Sequence, residues 1–356
     1  MNQQRLQKVL DNMKQAGLHQ LLVTETEPVY YLTGIWVSPM ERMMALYIRE
    51  DGKVTFFGNK LFAIAPQEGL EMVEHTDSDD PVAQLAAAVL PGELGIDETW
   101  PSRFLIGLMS HRPDVKPVLG SEPVAQATMY KDEEERELMR AASRIDDACI
   151  DMAIHAIREG ITEKELSSKV EHFFQEKGCD HLGFSIVAMG ANGADPHHGT
   201  DGTVLKECDS IVMDIGAPFN HYWCDMTRTV FYKSASEEQR TVYETVRRAN
   251  EAAIAVVKPG VAFKEIDLAA RKVIEDAGYG EYFTHRTGHS IGMKEHEQPP
   301  VSSECEVIAK PGMIFSIEPG IYLPGKFGVR VEDLVLVTED GCEVLNKYPK
   351  DLIVVE

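Results

Sequence analysis

The sequence predicts an α/β protein of two domains, spanning 1–128 and 129–356. Three features carry that expectation. The chain has 356 residues, beyond the roughly 250–300 at which a single hydrophobic core stops growing. Short helix and strand signals alternate up to about residue 128, where a long amphipathic segment breaks the rhythm. The half that follows repeats a stretch of itself at an offset of 100 residues.

In the first domain, MNQQRLQKVLDNMKQAG reads as an amphipathic helix stopped by Gly17, without the apolar centre of a secretion signal. LLVT (21–24) and MMALYI (43–48) read as strands, and Asp51-Gly52 ahead of KVTFF marks a hairpin turn. A mixed sheet flanked by helices is the expected result. No catalytic motif occurs in this half.

The second domain opens with KDEEERELMRAASRIDDACIDMAIHAI. Leu138, Ala142, Ile145, Cys149, Met152 and Ala156 recur at three- and four-residue spacing, an apolar stripe on one long helix with acidic residues at its N-terminal end. Residues 157–178 then align without gaps to 257–278, with Gly160/Gly260, Lys164/Lys264, Glu165/Glu265 and Gly178/Gly278 identical. Each copy reads as a loop, a helix and a C-terminal glycine, and Thr162 with Glu165 forms a capping box in the first. The repeat predicts a domain of two related halves, with a cleft where a ligand would bind.

Composition narrows the function. Hydrophobic content of 44% and charged content of 26% are those of a globular protein. A net charge of −23 argues against nucleic acid or an anionic membrane as partner, since both need clustered Lys and Arg. No apolar run reaches the roughly 18 residues that a membrane span requires. Six scattered cysteines without a C-x-x-C pair suit reduced thiols, so a cytoplasmic protein is expected.

The chemistry is concentrated late in the chain. SIVMDIGAPFNHYWCDMTRTVFY (210–232) reads as a hairpin around Pro-Phe-Asn. With the turn centred between Phe219 and Asn220, Asp214 and Asp225 face each other directly across the strands. Like charges so placed are destabilising unless a cation lies between them. GMIFSIEPGIYLPGKFGVRVEDLVLV (312–337) repeats the geometry, with Glu318 and Glu332 each seven residues from Gly325. Arg330 shares the face of Glu332 because strand side chains alternate. Between the hairpins, HRTGHSIGMKEHEQPP supplies His285, His289 and His296. Imidazole with carboxylate suits zinc, manganese or cobalt better than calcium. An aspartate near a turn, a lone histidine or a strand Glu beside Arg is ordinarily structural; two mirrored carboxylate pairs around a histidine cluster are not.

Asp214, Asp225-x-Thr-Arg-Thr, Gly288-His289-x-Ile-Gly, His296-Glu297, Ile317-Glu318-Pro319-Gly320 and Val329-Arg330-Val331-Glu332-Asp333 together resemble the pita-bread metallopeptidases, from about residue 129 to the end. The series is most similar to the proline dipeptidases (prolidases) and aminopeptidase P. Methionine aminopeptidases lack an N-terminal domain of this size, and creatinase lacks the metal ligands. The resemblance implies a creatinase-like N-terminal domain and a pita-bread catalytic domain with a curved antiparallel sheet. It also implies two divalent metal ions per chain, Mn²⁺ first, with Co²⁺ or Zn²⁺ as the other options. Asp214 and Asp225 would hold one ion and Asp225, His289, Glu318 and Glu332 would serve the other, with both Asp225 and Glu332 implied as bridging residues.

The resemblance further implies that His197, in PHHGT, and His296 act beside the substrate, that Glu318 relays a proton, and that His285 and Arg330 support substrate binding. Three positions depart from the pattern: Ser290 replaces a glycine, His198 follows His197 where glycine is frequent, and Pro300 stands where some prolidases carry an arginine. The implied activity is hydrolysis of Xaa-Pro dipeptides by a homodimer, with release of the N-terminal residue from longer Xaa-Pro peptides as the alternative. A non-catalytic binding protein on the same fold is the rival of another class, and retention of every ligand speaks against it.

Overall fold

In the computed structural model, which describes residues 1–356 apart from Leu182, the chain divides between Thr128 and Met129 into two units. The N-terminal unit is built on a six-stranded sheet. Its spatial order is Glu71–His75, Val54–Asn59, Ala45–Arg49, Gln20–Val23, Gly92–Ile96 and Val115–Leu119. The three middle strands pair antiparallel and the outer neighbours parallel, so the sheet is mixed as expected. The hairpin at Asp51-Gly52 closes where Arg49 N donates to Lys53 O, with Gly52 at φ 85° in the left-handed region that glycine tolerates. Parallel neighbours need crossovers: helix Pro81–Ala88 precedes Gly92–Ile96 and Ser102–His111 precedes Val115–Leu119, while a loop with the short helical turn Lys60–Phe62 joins Val54–Asn59 to Glu71–His75. Leu22, Tyr47, Phe57 and Leu94 lie in the resulting core. The first helix, Gln3–Ala16, ends at Gly17 (φ 71°).

The C-terminal unit contains the same helical arrangement twice. Helix Glu133–Ala156 is followed by Glu163–Glu176, and helix Glu237–Val256 by Phe263–Asp276. The intervening turns match as well: Gly160 and Gly260 both have positive φ, as do Gly178 and Gly278. Isolated bridges Thr162↔Val204 and Ala262↔Ile308 sit at equivalent points. Each half buries its own core, around Ile150, Val170 and Met213 in one and Ala249, Ala270 and Phe315 in the other. The capping box of Thr162 and Glu165 is formed.

The two halves contribute two largely antiparallel sheets. One orders Val354–Val355, Met226–Tyr232, Ser210–Gly216 and Phe184–Met189, with only the first pair parallel. The other orders Glu297–Val301, Gly288–Ser290, Ile314–Ile317, Asp333–Val337 and Cys342–Val344. Gly320–Leu323 and Phe327–Arg330 extend its central hairpin.

One hairpin differs from the expected register. The turn lies at Asn220-His221, whose φ values of 49° and 69° are those of a two-residue primed turn. The hairpin centre therefore moves one residue, and Asp214 pairs with Thr227 instead of Asp225. The shift is an even number of strand positions, so Asp225 stays on the same face, diagonal to Asp214. The second hairpin has the expected register: pairs Ile317↔Asp333 and Gly320↔Arg330 flank Glu318 and Glu332 and set them opposite each other. The long helix also differs: of the predicted stripe only Ala142 and Cys149 are fully buried, Leu138, Ile145, Met152 and Ala156 are half-buried, and the buried face is turned toward Met139, Ile150 and Ala153 and includes Glu135, Ser143 and Asp146.

Candidate metal centre

Strand ends deliver the five candidate ligands. Asp214 lies on Ser210–Gly216, Asp225 immediately precedes Met226–Tyr232, and His289 is the middle residue of Gly288–Ser290. Glu318 follows Ile314–Ile317, and Glu332 precedes Asp333–Val337. Ligand atoms of Asp225, His289 and Glu332 lie within 4.8 Å of one another, and all three residues are buried. His289 Nε2 is 3.5 Å from Asp225 Oδ2 and 3.6 Å from Glu318 Oε1. Asp214 and Glu318 are partly exposed and stand outside that group of three, near enough for their charges to act on Asp225.

The electrostatics mark this as a cation site. Burial pushes Asp225 and Glu332 well above the usual carboxylate range, and their acidic neighbours push them further. Burial also raises Glu318, against the opposing pull of His289 and Arg330. Asp214 Oδ1 and Asp225 Oδ1 are buried without a hydrogen-bond partner. Carboxylates so crowded either take up protons or share a dication, and the unpartnered oxygens are free lone pairs for one.

His289 has the tautomer a ligand needs. Its Nδ1 lies 3.2 Å from the Ser290 carbonyl, which can only accept, so Nδ1 carries the hydrogen and the Nε2 lone pair faces the carboxylates. Thr227, opposite Asp214 in the ladder, donates from Oγ1 to Glu332 Oε2 at 2.7 Å and accepts from Arg330 Nε at 3.0 Å. Arg330 Nη2 then holds Asp214 Oδ2 at 2.6 Å. Its Nη1 donates to the Tyr322 hydroxyl at 2.8 Å, and that hydroxyl donates to His285 Nε2 at 2.8 Å. His285 Nδ1 bonds the Arg286 carbonyl at 2.7 Å, so both of its nitrogens are engaged behind Arg330. Burial, then Arg330, lowers the His285 pKa to about 3, consistent with a neutral ring.

His296 stacks beside His289, with ring centroids 3.9 Å apart. His296 is exposed to solvent on its outer side, and desolvation against the cluster, then His289 and Arg286, lowers its pKa to about 4. His197 is exposed on a loop whose Pro196 carbonyl meets Arg330 Nη1 at 3.5 Å. Glu163 ties that loop down: it accepts from Met189 N, Asn192 Nδ2 and Asp201 N and contacts His198 Nε2 at 2.8 Å. Glu163, His198 and Asp201 could geometrically hold an ion. The Glu163 oxygens, however, are already occupied by the loop, which makes them an anchor.

The opposite face of the ligand-bearing strands is clamped. Buried Arg228 reaches Asp333 Oδ1 at 2.7 Å and the Glu332 carbonyl at 2.5 Å, and Lys350 meets Asp333 Oδ2 at 2.7 Å. Thr227, Arg228 and Asp333 stand in the quoted motifs with no role assigned to them there, and Tyr322 lies outside those motifs. Alternation was the available signal for Thr227 and Tyr322, which share strand parity with Asp225 and with Glu318.

Residues 137–339 match the family described as Metallopeptidase family M24, and residues 5–128 match the Creatinase/Prolidase N-terminal domain. The chain is similar to the dipeptidase from Pyrococcus horikoshii OT3 at 34% identity and a TM-score of 0.94, over 98% of this chain and 99% of that one. It is similar to the recombinant prolidase from Thermococcus sibiricus at 34% identity and a TM-score of 0.94, over 99% of each chain. The X-Pro aminopeptidase from Thermotoga maritima is similar at 29% identity and a TM-score of 0.83, over 97% of this chain and 100% of that one.

Proposed function

The chain belongs to metallopeptidase family M24, and from that premise we propose that it hydrolyses Xaa-Pro dipeptides with two divalent cations. The observation that carries the proposal is the convergence of Asp225, His289 and Glu332 with buried carboxylate oxygens that have no partner. Such a donor set fits divalent cations: Asp214 and Asp225 would hold one, Asp225, His289, Glu318 and Glu332 the other, and Glu332 like Asp225 would be shared between them. The carboxylate-rich shell favours Mn²⁺, then Co²⁺ or Zn²⁺. Bound there, the cations would acidify a water and polarise the peptide carbonyl. The end-to-end likeness to a dipeptidase and a prolidase supports the dipeptide preference.

The remaining steps belong to the chain's own side chains. Glu318 takes the proton of the attacking water and returns it to the departing proline nitrogen. Its Oε1 lies 3.3 Å from Ser316 Oγ, which steadies the carboxylate. Arg286 Nη2 approaches His296 Nδ1 at 3.5 Å, so His296 carries its hydrogen on Nε2 and donates it to the developing oxyanion. His197 orients the substrate from its loop. Arg330 and Thr227 keep Asp214 and Glu332 aimed inward.

The proposal includes a cytoplasmic homodimer. All six cysteines are unpaired, as a reducing compartment favours, and no helix among the described residues is long and apolar enough to cross a membrane. A second reading, release of the first residue from longer Xaa-Pro peptides, is favoured by the likeness to the Thermotoga maritima aminopeptidase. Metal-loaded protein assayed on Ala-Pro and Ala-Pro-Ala separates the two. We expect the dipeptide to have the higher kcat/KM. Preference for the tripeptide supports the second reading, and cleavage of neither overturns both.

A further inference from the structure

Lys131, which opens the long-helix segment, meets Glu297 of the His296-Glu297 motif inside the protein. Its Nζ lies 2.7 Å from Glu297 Oε2, and the two side chains are only 2% and 11% exposed. Taking both charges out of water costs about what their attraction returns, so the pair adds little stability over apolar side chains of similar size. Its contribution is direction, because a charge-assisted hydrogen bond fixes a geometry that apolar contact leaves loose. Both ends are tied. Lys131 N donates to the Gly312 carbonyl at 2.9 Å, and the Lys131 carbonyl accepts from Arg136 Nε at 2.9 Å. Glu297 Oε1 accepts from Lys294 N at 3.3 Å. Gly292 makes room for the pair: a Cβ there would lie 2.7 Å from Glu297 Oε1 and 2.8 Å from Lys131 Cε. The Gly292 carbonyl in turn accepts from Trp223 N at 2.8 Å, two residues before Asp225.

His296 is the residue that this arrangement holds. Its stacking on His289 at 3.9 Å and its approach to Arg286 at 3.5 Å are contacts of the ring, and neither fixes its backbone. Glu297 is the next residue, one step of about 3.8 Å between α-carbons, and Lys131 grips it. We propose that Lys131, acting through Glu297, sets the position from which His296 donates to the substrate. This inference rests on the Xaa-Pro reading above and on the role that reading gives His296. Lys131 is a positioning residue in it and takes no part in bond cleavage.

The test replaces the ion pair by an apolar pair of similar size. Lys131→Met together with Glu297→Met removes both charges and strands neither, so the protein should fold and keep its metal. Its kcat on Ala-Pro should fall by about 10- to 100-fold, the cost of a misplaced reacting group, with KM little changed. The same two changes in a His296→Ala background should lower kcat by less than about twofold, because the residue being positioned is gone. Gly292→Ala crowds the pair without removing either charge and should show the same pattern. Metal content and thermal midpoint, measured on the same preparations, identify a variant that fails to fold, and the other then carries the comparison. Equal losses with and without His296 would make the pair a support for the fold at large and overturn the proposal. So would an unchanged kcat, or loss of metal in proportion to activity. A wild type that does not cleave Ala-Pro removes the Xaa-Pro reading itself, and this inference with it.

Discussion

Arg330 Nη2 lies 2.6 Å from Asp214 Oδ2, while Oδ1 of the same carboxylate is buried without a partner. One oxygen is thus reserved for orientation and the other is left for a cation. Arg330 is itself fixed by Thr227 and Tyr322, so the aim of Asp214 depends on a three-residue lattice. Arg330→Ala should lower metal stoichiometry toward one ion per chain, with the ion nearest Asp214 lost first. Metal analysis after gel filtration decides it; two tightly held ions in the variant would mean that Asp214 needs no such guide.

Asp225 and Glu332 are proposed to serve both ions. Asp225→Asn or Glu332→Gln should therefore lose metal and turnover together. The cluster also predicts a pH signature. Its buried carboxylates have folded pKa values raised above the unfolded ones. Their contribution to the stability of chelated protein is full below about pH 4 and declines as pH rises through the folded values. Added Mn²⁺ should raise the thermal midpoint more at about pH 8 than at about pH 5. A metal-induced shift that is flat with pH contradicts the cluster as the binding site.

His296 and His197 flank the cluster without joining the proposed coordination set. Alanine at either position should cost about 10²- to 10³-fold in kcat if each donates to the transition state. Both variants should keep their metal. Loss of metal in proportion to activity would place the affected histidine in the coordination shell.

Asp333 neutralises Arg228 inside the protein. Burial would raise the Asp333 pKa, but Arg228 and Lys350 more than compensate and hold it below its usual value. Asp333→Ala strands a buried guanidinium and should cost about 3–5 kcal/mol of stability. Chemical denaturation of metal-free protein measures this directly, and a loss under about 1 kcal/mol would show that water reaches Arg228.

Asp146 is buried on the long helix, and neither oxygen has a hydrogen-bond partner. The neighbouring Cys224 thiol donates to the Ala217 carbonyl instead. Burial pushes Asp146 well above the usual carboxylate range, and Asp147 and Asp214 add to the effect. Its protonated form stabilises the fold at low pH, and that contribution fades as pH rises through the raised pKa. Asp146→Asn should match wild type near about pH 4 and become increasingly more stable above it. A difference that does not grow with pH in chelated protein would rule this out.

The sequence by itself determined the candidate ligand set and the faces from which it acts. Strand side chains alternate whatever the surroundings, so Glu318, Arg330 and Glu332 could be assigned one face around Gly325 from spacing alone, and the structure has that register. The gapless repeat likewise marked both helix pairs, because capping and glycine stops are local. Only the tertiary structure decided what depends on packing partners. The Asn220-His221 turn moved Asp225 to a diagonal position because conformations at two residues, invisible in composition, set where the chain reverses. The pairing of Asp214 with Arg330 joins residues 116 apart in the chain, and the burial of Asp146 likewise depends on packing. Counter-charge and desolvation belong to that proximity, and no local pattern encodes them.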